Sequence, residues 1–122
     1  MKMSCLPVSL FGDICSGKME LVDWAREAKD MGYDGIDISI MFLKNRTPTY
    51  LAALKRQLNE IGMPIIMMTT YPDFTHPDSV QREREMLYLK ADVALASELG
   101  IRYLRILAGQ AHADVSREDC IK

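Results

Sequence analysis

The sequence lacks the features that mark membrane, secreted and nucleotide-binding proteins. It contains no run of about eighteen apolar residues, and its first residues do not form a signal peptide. The three cysteines, Cys5, Cys15 and Cys120, are odd in number and form no CxxC pair, which predicts reduced thiols and a cytoplasmic protein. Gly12 and Gly17 belong to neither a GxGxxG motif nor a P-loop, so the sequence does not support a nucleotide site.

An excess of charge of either sign is also absent. The formal net charge is −2, which gives no reason to expect nucleic acid or an anionic membrane as a partner. Interdomain linkers and low-complexity segments are missing as well, and 122 residues suffice for one domain at most.

The chain does contain a repeated pattern, in which a polar helical stretch ends in glycine and a β-rich run follows at once. The three glycines are Gly32, Gly62 and Gly100. Glycine has a physical reason to end a helix, because the left-handed backbone found there costs it no Cβ clash. The spacing suits a strand followed by a helix, so the sequence predicts a parallel βα repeat.

Four strands and three long helices are predicted from periodicity and capping residues. The strands are predicted over 3–8, 34–40, 64–70 and 102–107, and the segment around Gly12 and Gly17 as a loop. The helices are predicted over 19–31, from Thr47-Pro48 onward, and from a capping box at Asp78 and Gln81 to about residue 99. Their predicted buried residues are Leu21, Trp24, Ala25 and Ala28 in the first, Leu51, Leu54, Leu58 and Ile61 in the second, and Leu87, Ala91, Ala94 and Leu95 in the third.

The predicted fold is α/β, a parallel (β/α) repeat equivalent to the N-terminal half of a TIM (β/α)8 barrel. A doubly wound sheet is the alternative, but its central strands should be apolar on both faces. Here Asp37 and Ser39 share one face of the second strand, and Arg105 lies on one face of the fourth. A polar inner face and an apolar outer face suit a barrel.

The end of the chain predicts a truncated product. Ser116 and Asp119 have the pattern of a capping box, yet a helix begun there has less than two turns left. We therefore expect residues 1–122 to be a partial domain of about four βα units. Such a sheet has two unpaired edges, and a homodimer that covers them is one expectation.

Three segments resemble the xylose isomerase-like TIM barrels, the superfamily of sugar phosphate isomerases and epimerases that also includes abasic-site endonucleases. They are Met3-Ser-Cys-Leu-Pro-Val-Ser9, Gly32-Tyr-Asp-Gly-Ile-Asp-Ile38 and Glu98-Leu-Gly-Ile-Arg-Tyr-Leu-Arg105. The resemblance covers the whole chain, but only the first half of a family domain. It implies a divalent metal (Mn, Mg, Co or Zn) held by acids and a histidine from strands five to eight. Those strands lie outside this chain, which is therefore not expected to hold the metal alone.

Candidate site residues lie at the ends of the strands and in the loops that follow them. The predicted substrate-binding residues are Asp37, Ser39, Tyr71, Arg105 and Gln110. His76 and His112 are the predicted metal ligands, and adjacent loops are expected to bring them together. The simpler interpretations are an Asp37–Arg105 ion pair, a loop histidine that caps the third helix, and an exposed His112. Asp73, in the same loop as His76, can exchange protons or bind metal but is not placed in either set.

The resemblance implies a sugar or sugar phosphate isomerase or epimerase, with metal-assisted proton transfer next to a carbonyl. The chain alone is expected to bind substrate poorly and to be inactive. One alternative is a non-catalytic half barrel that dimerises. The other is a metal-dependent abasic-site endonuclease, which would need a basic surface that this chain lacks.

Overall fold

Four parallel strands form one sheet, and helices cover one of its faces. The computed structural model describes residues 1–113, 115–116 and 118–119. The strands are β1 (Ser4–Cys5), β2 (Gly35–Ser39), β3 (Ile65–Thr69) and β4 (Tyr103–Arg105), in the order β1-β2-β3-β4. The helices are α1 (Phe11–Ser16), α2 (Leu21–Asp30), α3 (Pro48–Ile61) and α4 (Ser79–Glu98), with 3-10 turns at Val8–Leu10 and Ile40–Phe42. The predicted α/β half barrel is confirmed.

The differences from the predicted elements are concentrated at the sheet edges and in one short helix. β1 and β4 are much shorter than predicted, because each has a hydrogen-bonding neighbour on one side only. The segment predicted as a loop contains α1, which ends at Gly17 in the left-handed conformation. This helix has one buried residue, Ile14, and therefore no apolar periodicity for the sequence analysis to find.

The two helices of the middle of the chain follow the sequence signals closely. Glu20 and Asp23 form a capping box at the start of α2, and all four residues predicted to be buried on this helix are buried. The Thr47 hydroxyl accepts a hydrogen bond from the backbone N–H of Tyr50 at the start of α3, with Pro48 in its first turn. The predicted apolar face of α3 is confirmed for Leu51, Leu54 and Leu58, whereas Ile61 at the end of the helix is only partly buried.

Helix α4 is where the predicted packing is wrong. Leu87, Ala91 and Ala94 are exposed, Leu87 to 62 %, and only Leu95 of the predicted face is buried. The helix turns Asp92 inward instead, and Asp92 Oδ1 lies 2.7 Å from Arg46 Nη2, although the two are not aligned for a hydrogen bond. A buried charge needs an ionic partner, and Arg46 lies in a loop far along the chain, so periodicity alone could not identify this face.

Capping of α4 and of the last helical segment is confirmed in part. Asp78 accepts a hydrogen bond from Val80 N–H, but the Gln81 side chain donates to Glu85 and does not complete the capping box. Ser116 accepts from Asp119 N–H as expected at a helix start. The continuation of that helix through residues 120–122 lies outside the described residues.

The two faces of the sheet differ in chemistry. Ile36, Ile38 and Met68 are fully buried on the helix-covered face. The open inner face has two rows in register: Asp37, Met67 and Tyr103 in one, and Ser39, Thr69 and Arg105 in the next. The open face is the one that carries the polar residues of the strands.

The register between β2 and β3 shifts after Ile36, which leaves Ile66 as an extra residue on β3. The Ile66 side chain crosses the inner face directly over Gly35. A Cβ added to Gly35 would lie 2.5 Å from Ile66 Cγ1 and 3.0 Å from the carbonyl oxygen of Pro64. Glycine is therefore required at this position of the strand by close approach.

No helix in the described part of the chain combines the length and the apolar character needed to cross a membrane.

Candidate functional site

The carboxyl ends of the strands bring the predicted site residues to one edge of the sheet. In a parallel sheet all these ends lie together, and the loops that follow them are neighbours. The loop after β3 runs over residues 70–78, and the loop after β4 begins at residue 106. These two loops contain Tyr71, His76, Gln110 and His112.

Ser39 and Tyr71 form a pair of hydroxyl groups at the top of the inner face. Ser39 Oγ lies 3.0 Å from Tyr71 Oη, and Ser39 also accepts a hydrogen bond from Met41 N–H at 3.2 Å. Ser39 is buried, whereas Tyr71 is 38 % exposed. The buried serine thus fixes the tyrosine hydroxyl, and the exposed ring forms part of the surface at the mouth of the half barrel.

Asp73 is the centre of the hydrogen bonds between the two loops. Its Oδ1 accepts from Thr75 N–H (3.2 Å), the Thr75 hydroxyl (2.8 Å) and Gln110 N–H (3.4 Å). Its Oδ2 lies 2.8 Å from His112 Nε2. Burial alone would raise the pKa of Asp73, but the hydrogen bonds from Thr75, His112 and Gln110 outweigh it and lower the pKa to about 2. Asp73 is therefore an ionised acceptor at neutral pH.

Gly109 allows the two loops to approach this closely. Its φ is 156°, and a Cβ at this position would lie 2.2 Å from Thr75 Oγ1 and 2.7 Å from Asp73 Oδ1. The Phe74 N–H donates to the carbonyl of Ala108 at 3.1 Å, so the loops are also joined through their backbones. No larger residue than glycine fits between them without a shift of the loops.

The two histidines lie side by side, as the sequence predicts. The centroids of the His76 and His112 rings are 5.1 Å apart, with the ring planes at 75°. His76 Nδ1 accepts a hydrogen bond from the backbone N–H of Asp78 at 3.1 Å, next to the start of α4. The His112 side chain is 20 % exposed. Whether either binds metal stays a prediction.

The described residues do not supply a metal shell. Within the ranges that the structure describes, no three His, Cys, Asp or Glu side chains are grouped so that they could hold one ion. A zinc or manganese site needs at least three protein ligands. With fewer protein ligands, several water molecules must complete the shell. The metal that the family resemblance implies therefore does not fit the described residues of this chain.

The remaining predicted residues lie apart from the hydroxyl pair or act through their backbone. The predicted Asp37–Arg105 ion pair is wrong: Asp37 accepts from the Ser4 hydroxyl at 2.9 Å, one row away from Arg105. Arg105 shares the row of Ser39, and its side chain is exposed. Gln110 contributes its backbone N–H and carbonyl to the loop contacts, while its side chain makes no hydrogen bond to a described residue.

The sequence analysis missed the part played by Asp73 and Thr75. Asp followed two residues later by Thr is the pattern of an Asx turn, in which the carboxylate accepts from a backbone N–H two residues ahead. That signal predicts the Asp73–Thr75 contact. It does not predict the contacts to Gln110 and His112, which depend on how β4 pairs with β3.

The comparisons with known proteins agree with this geometry. A family model described as xylose isomerase-like TIM barrel matches residues 25–122. The comparison with curated proteins found no match.

Among solved structures, the probable 3-DHS dehydratase AsbF of Bacillus anthracis, involved in petrobactin synthesis, matches with a TM-score of 0.72 and 21 % identity over 98 % of this chain. A sugar phosphate isomerase/epimerase of Parabacteroides distasonis matches with a TM-score of 0.63 and 20 % identity over 90 %. A xylose isomerase domain protein of Alicyclobacillus acidocaldarius matches with a TM-score of 0.62 and 19 % identity over 85 %. This chain spans 43 %, 43 % and 35 % of their respective lengths.

Proposed function

Because the chain belongs to the xylose isomerase-like TIM barrel family, we propose that it is the N-terminal half of a sugar or sugar phosphate isomerase or epimerase. In this proposal the chain binds the substrate hydroxyls, and strands beyond the four described here complete the barrel. The chain spans less than half of each of the three solved structures named above, which supports the proposal that further strands are needed.

The observation that carries the proposal is the Ser39–Tyr71 hydroxyl pair at the open mouth. A hydroxyl can donate one hydrogen bond and accept two, which is the pattern that sugar hydroxyls present in return. The exposed ring of Tyr71 adds an apolar surface for the C–H groups of a sugar. A buried serine that fixes the tyrosine hydroxyl before substrate arrives reduces the entropy lost on binding.

Arg105 supports a phosphorylated substrate. It lies in the same inner row as Ser39, it is exposed, and no carboxylate of the described residues lies within ion-pair distance of it. A guanidinium group can bind a phosphate through two parallel hydrogen bonds. We assign Arg105 to the phosphate and the Gln110 side chain to a substrate hydroxyl, with Asp37 deeper on the same face.

The proposed reaction is proton transfer next to a carbonyl. A base removes the proton from the carbon beside the carbonyl, and the C–H electrons form an enediolate. In an epimerase a proton returns to the opposite face of the same carbon. In an isomerase a proton returns to the former carbonyl carbon, while the proton of the neighbouring hydroxyl moves to the former carbonyl oxygen. We propose that the base and the expected divalent metal come from strands that this chain does not contain. The chain alone should then bind sugar weakly and turn over nothing.

Saturation-transfer NMR on the 122-residue chain tests the binding step, with fructose, xylose and fructose 6-phosphate as probes. We expect transfer from the Tyr71 ring, and its loss in Ser39→Ala and Tyr71→Phe. Tyr33→Phe is the matched control, because Tyr33 lies before β2, at the opposite end of the strands from Tyr71. Equal signals in all variants, or no signal for any probe, would overturn the proposal.

The open sheet edges favour a second candidate, a half barrel that pairs with another copy. β1 and β4 each have one free edge, and Tyr103 on the inner face is 60 % exposed. Light scattering after size exclusion separates the two candidates. A stable dimer that binds none of the sugars would support the second candidate, and a monomer at every concentration would exclude it.

A further inference from the structure

Hydrogen bonds hold the loop after β3 against the loop after β4. Asp73, Thr75, Gly109, Gln110 and His112, which we name the Asp73 clasp, join the two loops through side-chain and backbone hydrogen bonds. We propose that this clasp fixes the mouth of the half barrel without a metal, and that His76 and His112 act as its hydrogen-bonding and packing partners rather than as metal ligands.

Most of the hydrogen-bond acceptor sites of the Asp73 carboxylate are already occupied. A carboxylate has about four lone-pair sites. Oδ1 already accepts from Thr75 and Gln110, and Oδ2 is occupied by His112. Asp73 is also buried, so a cation that replaced these donors would need to displace both loops. The carboxylate is therefore used internally.

Each histidine uses one ring nitrogen in a hydrogen bond within the chain. Asp78 N–H donates to His76 Nδ1, so His76 carries its proton on Nε2. For a metal to bind at Nε2, the proton would have to move to Nδ1, where it would face the N–H of Asp78. His76 can thus bind a metal only by giving up its contact with the start of α4.

In His112, only one of the two ring nitrogens, Nε2, is engaged in a hydrogen bond to a described residue. The ionised Asp73 accepts from His112 Nε2–H, which leaves Nδ1 as the nitrogen with a free lone pair. Nδ1 makes no hydrogen bond to a described residue. His112 Nδ1 is therefore the one ring nitrogen of the two histidines that could bind a metal without breaking these hydrogen bonds. A metal site needs more ligands than this.

The clasp requires glycine at position 109. Its Cβ position is occupied by Thr75 Oγ1 and Asp73 Oδ1, so the chain has glycine where a direct contact between the loops needs it. The contact of Phe74 N–H with Ala108 extends the pairing of β3 and β4 into the loops. Backbone pairing and side-chain contacts therefore act on the same two segments.

Imidazole NMR together with metal titration of the 122-residue chain tests this proposal. In 15N-labelled protein we expect both histidines to be Nε2–H tautomers, with signals that do not change on adding ZnCl2 or MnCl2. We also expect the melting temperature to be the same with EDTA and with either metal. Since a metal that binds the folded state raises its melting temperature by mass action, a shift that is lost in His76→Gln or His112→Gln would overturn the proposal.

Asp73→Asn gives a second, sharper readout. The asparagine keeps Oδ1 but turns an NH2 group toward His112, so we expect the His112 proton to move from Nε2 to Nδ1. His76 is the internal control, and its tautomer should not change. If Asp73→Asn does not fold, the wild-type tautomers and metal titrations still decide the question. A metal-induced stabilisation that persists in both histidine variants but is lost in Asp73→Asn would overturn the proposal, because the clasp would then hold the metal. One that persists in all three variants would place the metal outside the clasp and would support the proposal. An Nδ1–H tautomer for His112 in the wild type would overturn it.

Discussion

The two parts of this chain are held together by different forces. Residues 21–69, which contain α2, β2, α3 and β3, share a continuous core in which Trp24, Ile36, Ile38 and Met68 are fully or almost fully buried. From residue 70 onward, the chain adds Leu95, Ala96, Leu99 and Ile101 to this core, while its loops are joined by the Asp73 clasp and α4 carries the Arg46–Asp92 ion pair. Hydrogen bonds are directional, so the contacts of the second part hold the loops after β3 and β4 in a defined geometry.

The largest effect should come from the core of the first part. Ile38→Ala removes a fully buried side chain between the sheet and the helices, and should cost about 2–5 kcal/mol of unfolding free energy through lost burial and the cavity left behind. Leu87→Ala on α4 is the matched control, because Leu87 is exposed and its truncation should change stability by less than about 0.5 kcal/mol. Urea unfolding measures both. Equal losses would mean that α4 is packed against something and that the two parts do not differ in this way.

Gly35→Ala should have the next largest effect, again in the first part. The new Cβ would meet the Ile66 side chain and the Pro64 carbonyl, and overpacking of this kind costs about 1–3 kcal/mol. Gly12→Ala is the control, because nothing lies within 4 Å of its Cβ position and alanine favours helix α1. Thermal unfolding should therefore shift downward for Gly35→Ala and not for Gly12→Ala. A neutral Gly35→Ala would show that Ile66 can move aside and that the bulge in β3 is soft.

The same division decides how much could be predicted from the sequence. The faces of α2 and α3 were predicted correctly apart from Ile61, because local periodicity and burial agree where one core decides the packing. On α4 the apolar residues do not form one stripe, and the inward Asp92 depends on Arg46 from another loop. Of the site, the neighbouring positions of His76 and His112 follow from the order of parallel strands. The central place of Asp73 depends on contacts across 37 to 39 residues of sequence, which no local pattern encodes.

Gly109→Ala tests the second part without disturbing the first. The added Cβ would separate the loops, so the amides of Phe74 and Gln110 should exchange with solvent roughly ten- to a hundredfold faster, about 1.4 kcal/mol for each tenfold change. Amides of Ile36 and Met68 should keep their protection, since both residues are fully buried in the core of the first part. Hydrogen exchange read by NMR compares both sets in one sample. Faster exchange throughout the chain would mean that the loops and the core open together and that the chain is one cooperative unit.

The smallest effect should be a dependence on pH that originates in the second part alone. The pKa of Asp73 is lowered from 3.8 to about 2 in the folded chain, despite burial, by hydrogen bonds from Thr75, His112 and Gln110. A carboxyl group with a lowered folded pKa stabilises the protein fully above its unfolded pKa, and this contribution is lost as the pH falls through the folded pKa. The stabilisation by Asp73 should therefore decline between about pH 4 and pH 2.

In Asp73→Asn the unfolding free energy should fall less steeply over this interval than in the wild type, and the two curves should run parallel above about pH 5. Asp13→Asn, at an exposed position on α1, is the control and should follow the wild-type curve. If Asp73→Asn and the wild type follow parallel curves from pH 5 to pH 2, the carboxylate does not gain its hydrogen bonds on folding, and the second part would be held by its backbone contacts alone.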